Sequence, residues 1–474
     1  MITEHTGDWF LPNSKIKLPG KLVIDDENHG IDLYIYSDKF LTGQEIHIKN
    51  DKELPRHFEL IHGDCPTLIT LFNCNWKSID QINSSLFIVR YFVEFVFSYA
   101  HLKQNFKVKS INIEYPYLRT FFDGYQSVST EEIKEQSVEY SNPVRINGNF
   151  SFRLVDSHQR DIKDFLDKNY SITHSKSIEF LFDEGLLFKD CFELMSLFSS
   201  LLCFTTEKKI CYKINFLNFD KAQADEIEEG ALYNSDIRSV TVENFSSRQS
   251  CDIKTKNIHQ NMMLFSRWKN SEEQLNNIII KWFNNKEFIP IYDFYLDATD
   301  WYRGKVVRIT QVNFNNKFLN LCQALESYYD LNDFKFNANN EEFTKKRQQA
   351  LNCIEDYELK LWTKKNLKFP SSPKLSDKLD QLINKFSFVF DKVKGLEEFL
   401  KTYSVESTEY RHKLSHGRIR KTSQGEDFRR LYDFSTILLC FCVLESLGMS
   451  ERSILSIVKD HHEINQRLHY LVHT

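Results

Sequence analysis

The sequence predicts an α+β protein: a β-rich N-terminal domain with packed helices, followed by an all-α helical bundle. Three observations carry that reading. Short runs with an apolar residue at every second position fill the first part of the chain, and after about residue 255 the apolar spacing lengthens to three and four. The 474 residues also exceed what one ordinary core encloses, so two or three domains are expected. The expected boundaries are 1–255 for the β-rich region, 256–310 for a connecting helical segment and 311–474 for the bundle.

In the first region, KLVIDD and IDLYIYSD flank the turn-rich ENHG, and EIHIKN and HFELIHG follow with the same alternation. The pattern suits an antiparallel sheet covered on one face. VKSINIEYPYL (108–118), RINGNFSFRLV (145–155) and KKICYKINFLNF (208–219) continue it, which predicts a sandwich-like or barrel-like module. Helices are expected between these strands at 84–102 and 184–204. In the bundle, apolar residues such as Phe318, Leu321, Leu325 and Tyr328 predict helices over 316–331, 341–366, 375–388, 391–403, 426–447 and 450–459.

Composition excludes several classes. With 41% hydrophobic and 14% aromatic residues the chain is globular rather than disordered. The segments 84–100, 191–204 and 435–449 are apolar, but Arg90 and Glu94, Glu193, and Glu445 interrupt them. None reaches the roughly 18 uncharged residues of a membrane span, so buried helices and no membrane partner are expected. The ten cysteines are scattered without a CxxC pair, which fits reduced thiols in a cytoplasm. The N-terminus lacks a basic stretch followed by an apolar one, so no secretory signal is expected. Neither a phosphate-binding GxxxxGK[ST] loop nor a GxSxG elbow occurs. His461, His462, Glu463 and His469 offer metal ligands, but adjacent histidines point apart on a helix and no Cys or Asp stands at zinc spacing. No metal and no cofactor are expected.

One short stretch stands out. In a chain of net charge −5, RHKLSHGRIRK (411–421) holds five Lys or Arg residues and no carboxylate. As a solvated helix end, such residues would simply complement the helix dipole. Read chemically, Arg411 and His416 offer more. A neutral-pH imidazole takes and gives protons, and a guanidinium fork stabilises a phosphorane. Together they suffice for RNA cleavage through the ribose 2′-OH, and Lys413, Arg418, Arg420 and Lys421 would grip the backbone. Five residues on a helix rotate a side chain by about 140°, so Arg411 and His416 do not share a face. Either the helix ends at Gly417 and lets His416 swing toward Arg411, or a two-fold axis builds one site from two copies. Glu326 could orient Arg411 from a facing helix or be a structural counter-charge, and Tyr410 could stack on a base or pack in the core.

Arg411-His412-x-x-x-His416 on a terminal helical module resembles the R-[N/H/D]-x-x-x-H signature of the HEPN ribonuclease superfamily. The flanking LSHGR, the upstream FLNLCQALESYY (318–329) and the N-terminal WFLP-x6-PGKLVID, carried by Trp9, Phe10, Leu11, Pro12, Pro19, Gly20 and Leu22, resemble ApeA-type abortive-infection proteins. The resemblance implies a HEPN-like bundle, a homo-oligomer formed through it, and Arg411 and His416 as the catalytic pair with His412 in the polar position after the arginine. It further implies RNA, possibly tRNA, as substrate and a phage-derived trigger sensed by the N-terminal region. A non-catalytic RNA-binding or scaffold protein with a dimerising bundle is the alternative.

Overall fold

The computed structural model describes residues 2–11, 16–25, 30–37, 57–82, 87–123, 136–164, 169–208, 210, 212–227, 237–244, 262–267, 269–299, 311–332, 334, 340–367, 373–416 and 426–473. The chain divides into two compact units, Met1–Asn284 and Asn285–Thr474. The EIHIKN strand expected at 45–50 lies outside the described residues.

The first unit begins with six antiparallel strands, β1 (Ile2–Phe10), β2 (Leu18–Asp25), β3 (Gly30–Ser37), β4 (His57–Asp64), β5 (Leu68–Gln81) and β6 (Phe87–Ser98). They pair in the cycle β1-β2-β3-β6-β5-β4-β1 and therefore close into a barrel. Closure removes the exposed edges that an open sheet must protect. Inward residues Leu22, Ile24, Ile31, Leu33, Val89 and Val93 fill it together with Trp9. Two glycines make room for that indole: a Cβ on Gly63 would lie 2.4 Å from a Trp9 ring carbon, and one on Gly20 would lie 2.6 Å from another. The spaced WFLP and PGKL segments are thus one packing unit, and truncating Trp9 to alanine would cost about 3–5 kcal/mol.

The remaining elements of this unit are β7 (Ala100–Leu102), β8 (Lys107–Glu114), α1 (Leu118–Phe122), β9 (Gln136–Tyr140), β10 (Val144–Arg145), β11 (Phe150–Asp164), β12 (Asn169–Leu187), α2 (Phe188–Thr206), β13 (Lys213–Asp220), β14 (Ala224–Ile227), β15 (Ile237–Asn244) and α3 (Glu272–Asn284). Past its pairing with β3, the end of β6 keeps β5 on one side and takes β15 on the other, and from β15 an antiparallel sheet continues through β13, β8, β12 and β11. Phe188 and Phe192 of α2 pack on Phe95 of β6 at ring distances of 5.5 and 5.1 Å.

The helix expected at 84–102 is therefore a strand. FIVRYFVEFVF is dense in β-branched and aromatic residues, which favour a pleated surface. Val89, Tyr91 and Val93 enter the barrel, while Arg90 pairs with Asp32 and Glu94 with Asn73 on the other face. Arg90 and Glu94 are four apart, a spacing that satisfies both periods, and so it could not decide between them. The helix expected at 184–204 is present as α2.

The second unit is helical: α4 (Ile289–Thr299), α5 (Gln311–Leu331), α6 (Asn340–Asn352), α7 (Tyr357–Asn366), α8 (Leu375–Lys385), α9 (Ser387–Phe390), α10 (Glu397–Ser415), α11 (Glu426–Ser446), α12 (Glu451–Asp460) and α13 (His462–His473). The single helix expected at 341–366 breaks where Asp356 caps α7, accepting the Leu359 N–H at 2.6 Å. Central to the core is α11, where Leu431, Phe434, Leu438, Phe441 and Cys442 are all buried. Phe399 and Tyr403 of α10 pack against Phe434 at 5.4 and 4.5 Å, and Tyr403 Oη bonds Ser435 Oγ at 2.7 Å. That grip fixes the first half of α10 and leaves its last turn at the surface. Among the described residues no helix is long and apolar enough to cross a membrane.

Candidate functional site

The last turn of α10 is built by local bonds. Ser415 Oγ donates back to the Arg411 carbonyl at 2.8 Å, and the His416 N–H donates to the His412 carbonyl at 3.2 Å. Lys413 pairs with Glu409 one turn earlier at 3.1 Å. Helical order ends at Ser415, with His416 as the flanking residue. Yet His416 stays in register with the turn below: its ring lies 4.4 Å from that of His412, inclined by 61°. Both imidazoles are exposed.

Arg411 leaves the helix in another direction. Its Nη2 meets Glu326 Oε2 of α5 at 3.3 Å, with 42% of the arginine side chain still exposed. The other oxygen of Glu326 faces Lys378 of α8 at 3.4 Å, and Lys378 is in turn held by Asp330 at 2.7 Å. A chain of alternating charge, Asp330, Lys378, Glu326 and Arg411, thus ties three helices to one guanidinium. Beneath it lies Cys322, whose thiol burial pushes up to about 12, with the Arg411 charge opposing and Glu326 reinforcing. Chemically, the arrangement offers a tethered, half-exposed cation and two accessible proton carriers on one helical turn.

Within a single chain the structure brings His412 and His416 together, and Arg411 together with Glu326. The helix end does not carry His416 round to the arginine contact. Tyr410 packs on Phe428 at 5.5 Å, the core alternative for this ring. Arg418, Arg420 and Lys421 lie outside the described residues. His461 is 1% exposed and its Nδ1 accepts the Ile464 N–H at 3.4 Å, whereas His462 Nε2 bonds Gln466 at 2.8 Å, so the adjacent rings do diverge. Among the described residues no group of three or more His, Cys, Asp or Glu is placed to hold a metal ion.

Comparison with known families bears on the whole chain. The model of ApeA N-terminal domain 1 matches residues 4–282, and that of the Apea-like HEPN domain matches residues 319–453. The chain belongs to the ApeA family. It is an ApeA-type HEPN antiphage protein, in which the β-rich region corresponds to the family's N-terminal domain and the helical unit carries its HEPN domain. HEPN domains are generally nucleases, typically dimerise and bind RNA. No curated protein and no solved structure matches this chain.

In this ApeA-type protein, Lys378 and Asp330 were the residues that sequence reasoning missed. A signal existed: Lys378 falls within the apolar stripe Leu375, Leu379, Leu382 of α8, and a cation in such a stripe requires a buried partner.

Proposed function

We propose that this protein is an abortive-infection effector whose helical unit is a metal-independent endoribonuclease acting in the cytoplasm on RNA, with tRNA the substrate class the family resemblance favours. The observation that carries the reading is the juxtaposition, on the last turn of α10, of a tethered guanidinium and two exposed imidazoles. One imidazole, that of His416, removes the proton from a ribose 2′-OH. The resulting oxyanion attacks the adjacent phosphorus, and Arg411 stabilises the charge of the phosphorane. As the P–O5′ bond breaks, a protonated imidazole, from His412 or from its copy in a second chain, returns a proton to the leaving oxygen. The products are a 2′,3′-cyclic phosphate and a 5′-hydroxyl, so atoms and charge balance without a metal or a water.

The 140° offset of Arg411 from His416 is best met by a homodimer in which two copies of α10 face one phosphate. Glu326 then serves as the accessory group that aims Arg411, and Lys413, Arg418, Arg420 and Lys421 contact flanking phosphates. The N-terminal unit senses a phage-derived trigger and holds the nuclease silent until it arrives.

Expression of the wild type, Arg411→Ala and His416→Ala in phage-challenged cells, followed by mapping of RNA ends, tests this. Cyclic phosphate ends that appear only with the wild type and persist in EDTA are the expected result. Identical RNA in all three strains overturns it.

A further inference from the structure

Between the segment after α9 and helices α12 and α13 lies a cavity of about 620 Å³. That is within the ~300–1,000 Å³ of small-molecule sites. Its floor is aliphatic, with Val393 and Leu468 among its residues, and its rim carries Lys392, Lys394, Arg452 and Lys459. No carboxylate lines it. All four cations are exposed, and among the described residues none of them makes an ion pair. Two other exposed lysines of this unit are paired, Lys401 with Glu398 at 3.2 Å and Lys413 with Glu409 at 3.1 Å, whereas among the described residues Lys364, Lys365 and Lys374 are not, so what marks the four is their gathering around one hollow. Four like charges around one hollow repel each other, and an anion relieves that repulsion.

Gly395 has φ +87°, and a Cβ there would come within 2.7 Å of Val472, so the chain before α10 can lie directly on α13. Asn465 of α13, whose side-chain amide carries both a donor and an acceptor, lines this space and also a neighbouring hollow of about 500 Å³ beside Tyr470. An aliphatic floor suits the face of a nucleobase, an amide suits its edge, and clustered ammonium and guanidinium groups suit phosphates.

We propose that this cavity is a binding site for a phosphorylated nucleotide, with the base on the aliphatic floor beside Asn465 and the phosphates among Lys392, Lys394, Arg452 and Lys459. It is separate from the site at the end of α10. The hollow that adjoins it at Val472 and leads toward Tyr410 and Lys413 is lined by Glu398, Glu406, Glu409 and Asp427. A strand of RNA running from the end of α10 would have to cross those carboxylates, which repel its backbone; a compact nucleotide does not.

Isothermal titration of the full-length protein with ADP, pyrophosphate, adenosine and dodecyl phosphate tests the assignment. ADP is expected to bind about tenfold or more tighter than pyrophosphate or adenosine alone, since both halves of the cavity contribute. Arg452→Glu combined with Lys459→Glu weakens ADP about tenfold or more. Val393→Trp fills the floor without touching charge, and weakens ADP while sparing pyrophosphate. Arg411→Ala leaves ADP binding unchanged, which separates this cavity from the proposed nuclease site. Thermal unfolding confirms that each variant is folded. The assignment is overturned by no ADP binding to the folded wild type, by pyrophosphate binding as tightly as ADP, by dodecyl phosphate binding more tightly than ADP, or by loss of ADP binding in Arg411→Ala.

Discussion

Two pairs of histidine rings sit at nearly the same separation in this chain and face opposite fates. Where β7 lies against the barrel, His62 of β4 and His101 of β7 stack at 4.6 Å and 9°, with Phe10 edge-on to both at 5.7 and 5.4 Å. They are 2% and 3% exposed. His62 Nε2–H donates to the Leu102 carbonyl at 2.9 Å and His101 Nε2–H to that of Gly63 at 3.2 Å. Each ring is held by backbone, and His101 also faces Asp64 at 3.5 Å and Glu226 at 3.7 Å. His412 and His416 lie 4.4 Å apart at 61°, exposed, on the last turn of a helix whose other half is anchored in the bundle core. Proximity is common to both pairs; access to solvent belongs to one. Burial lowers the pKa of His62 first of all, with the charge of His101 adding to that and the Leu102 carbonyl opposing it. The buried pair is therefore read as structure, and the exposed helix-end pair is the one to which the proposed nuclease reading assigns proton transfer.

The largest effect should come from the exposed site. His416→Ala or Arg411→Ala is expected to lower RNA cleavage by about 10²–10⁴-fold, the range for removing a general base or an oxyanion partner. His62→Ala should leave the cleavage rate of folded protein unchanged. Rates measured on purified protein, at a temperature where every variant is folded, decide between them. Loss of cleavage in His62→Ala under those conditions would break the contrast.

Stability should show the reverse. His62→Ala opens a cavity and orphans the Leu102 carbonyl, at a cost of about 2–4 kcal/mol to the first unit. The pH dependence follows from the lowered pKa. A folded-state pKa below the unfolded value of about 6.5 means that the unfolded chain binds the proton more readily. The contribution of His62 is thus fully present above about pH 6.5 and is lost as pH falls below it. Thermal unfolding at pH 7.5 and 5.5 should show a drop for the wild type that His62→Phe reduces. Equal drops in both proteins would assign the acid sensitivity elsewhere.

A smaller effect is expected one step behind Arg411. Lys378, whose side chain is 7% exposed, binds the oxygen of Glu326 that Arg411 does not use. Lys378→Met should leave Glu326 free to turn and lower kcat about tenfold with little change in KM, and Lys378→Arg should recover much of the loss. A purely structural role predicts instead a lower unfolding temperature with kcat unchanged in protein that remains folded.

What could be read in the sequence depended on how local the determining contacts were. The switch from period two to periods of three and four separated the β-rich and helical regions, because each period is written in neighbouring residues. Trp9 and Gly20 carried a family signature whose physical reason appears only once Gly20 and Gly63 are seen to vacate space for the indole. β6 was misread because its run is apolar on both faces near Phe95 and Phe97 and its two charges fit either period. Barrel closure rests on the pairing of β1 with β4, where Asp8 meets Asp64 across more than fifty residues, a separation no window of sequence spans. At the site, Arg411, His412 and His416 were legible as a spacing. Glu326 was legible as one possible partner for Arg411; the pairing of His412 with His416 toward solvent, and the Lys378 and Asp330 that hold Glu326, were not, since they depend on how the helix ends and where α8 lies.

The smallest expected effect sharpens the comparison most narrowly, because it separates grip from chemistry on the same helical turn. Lys413 is half exposed, pairs with Glu409 at 3.1 Å and lies 5.7 Å from the Tyr410 ring. An exposed pair at this spacing contributes about 0.3–0.5 kcal/mol to a helix, so Lys413→Gln should barely move the unfolding temperature. If the side chain contacts a phosphate of bound RNA, one counterion fewer is released, and the log–log salt slope of binding should become shallower by about 0.7–0.9. Cleavage at saturating RNA should stay near the wild-type rate, since no proton passes through an ammonium held by Glu409. A slope that does not change would place the phosphate contacts away from this face of α10, and the basic character of the segment would then be no more than a favourable charge at the carbonyl end of a helix.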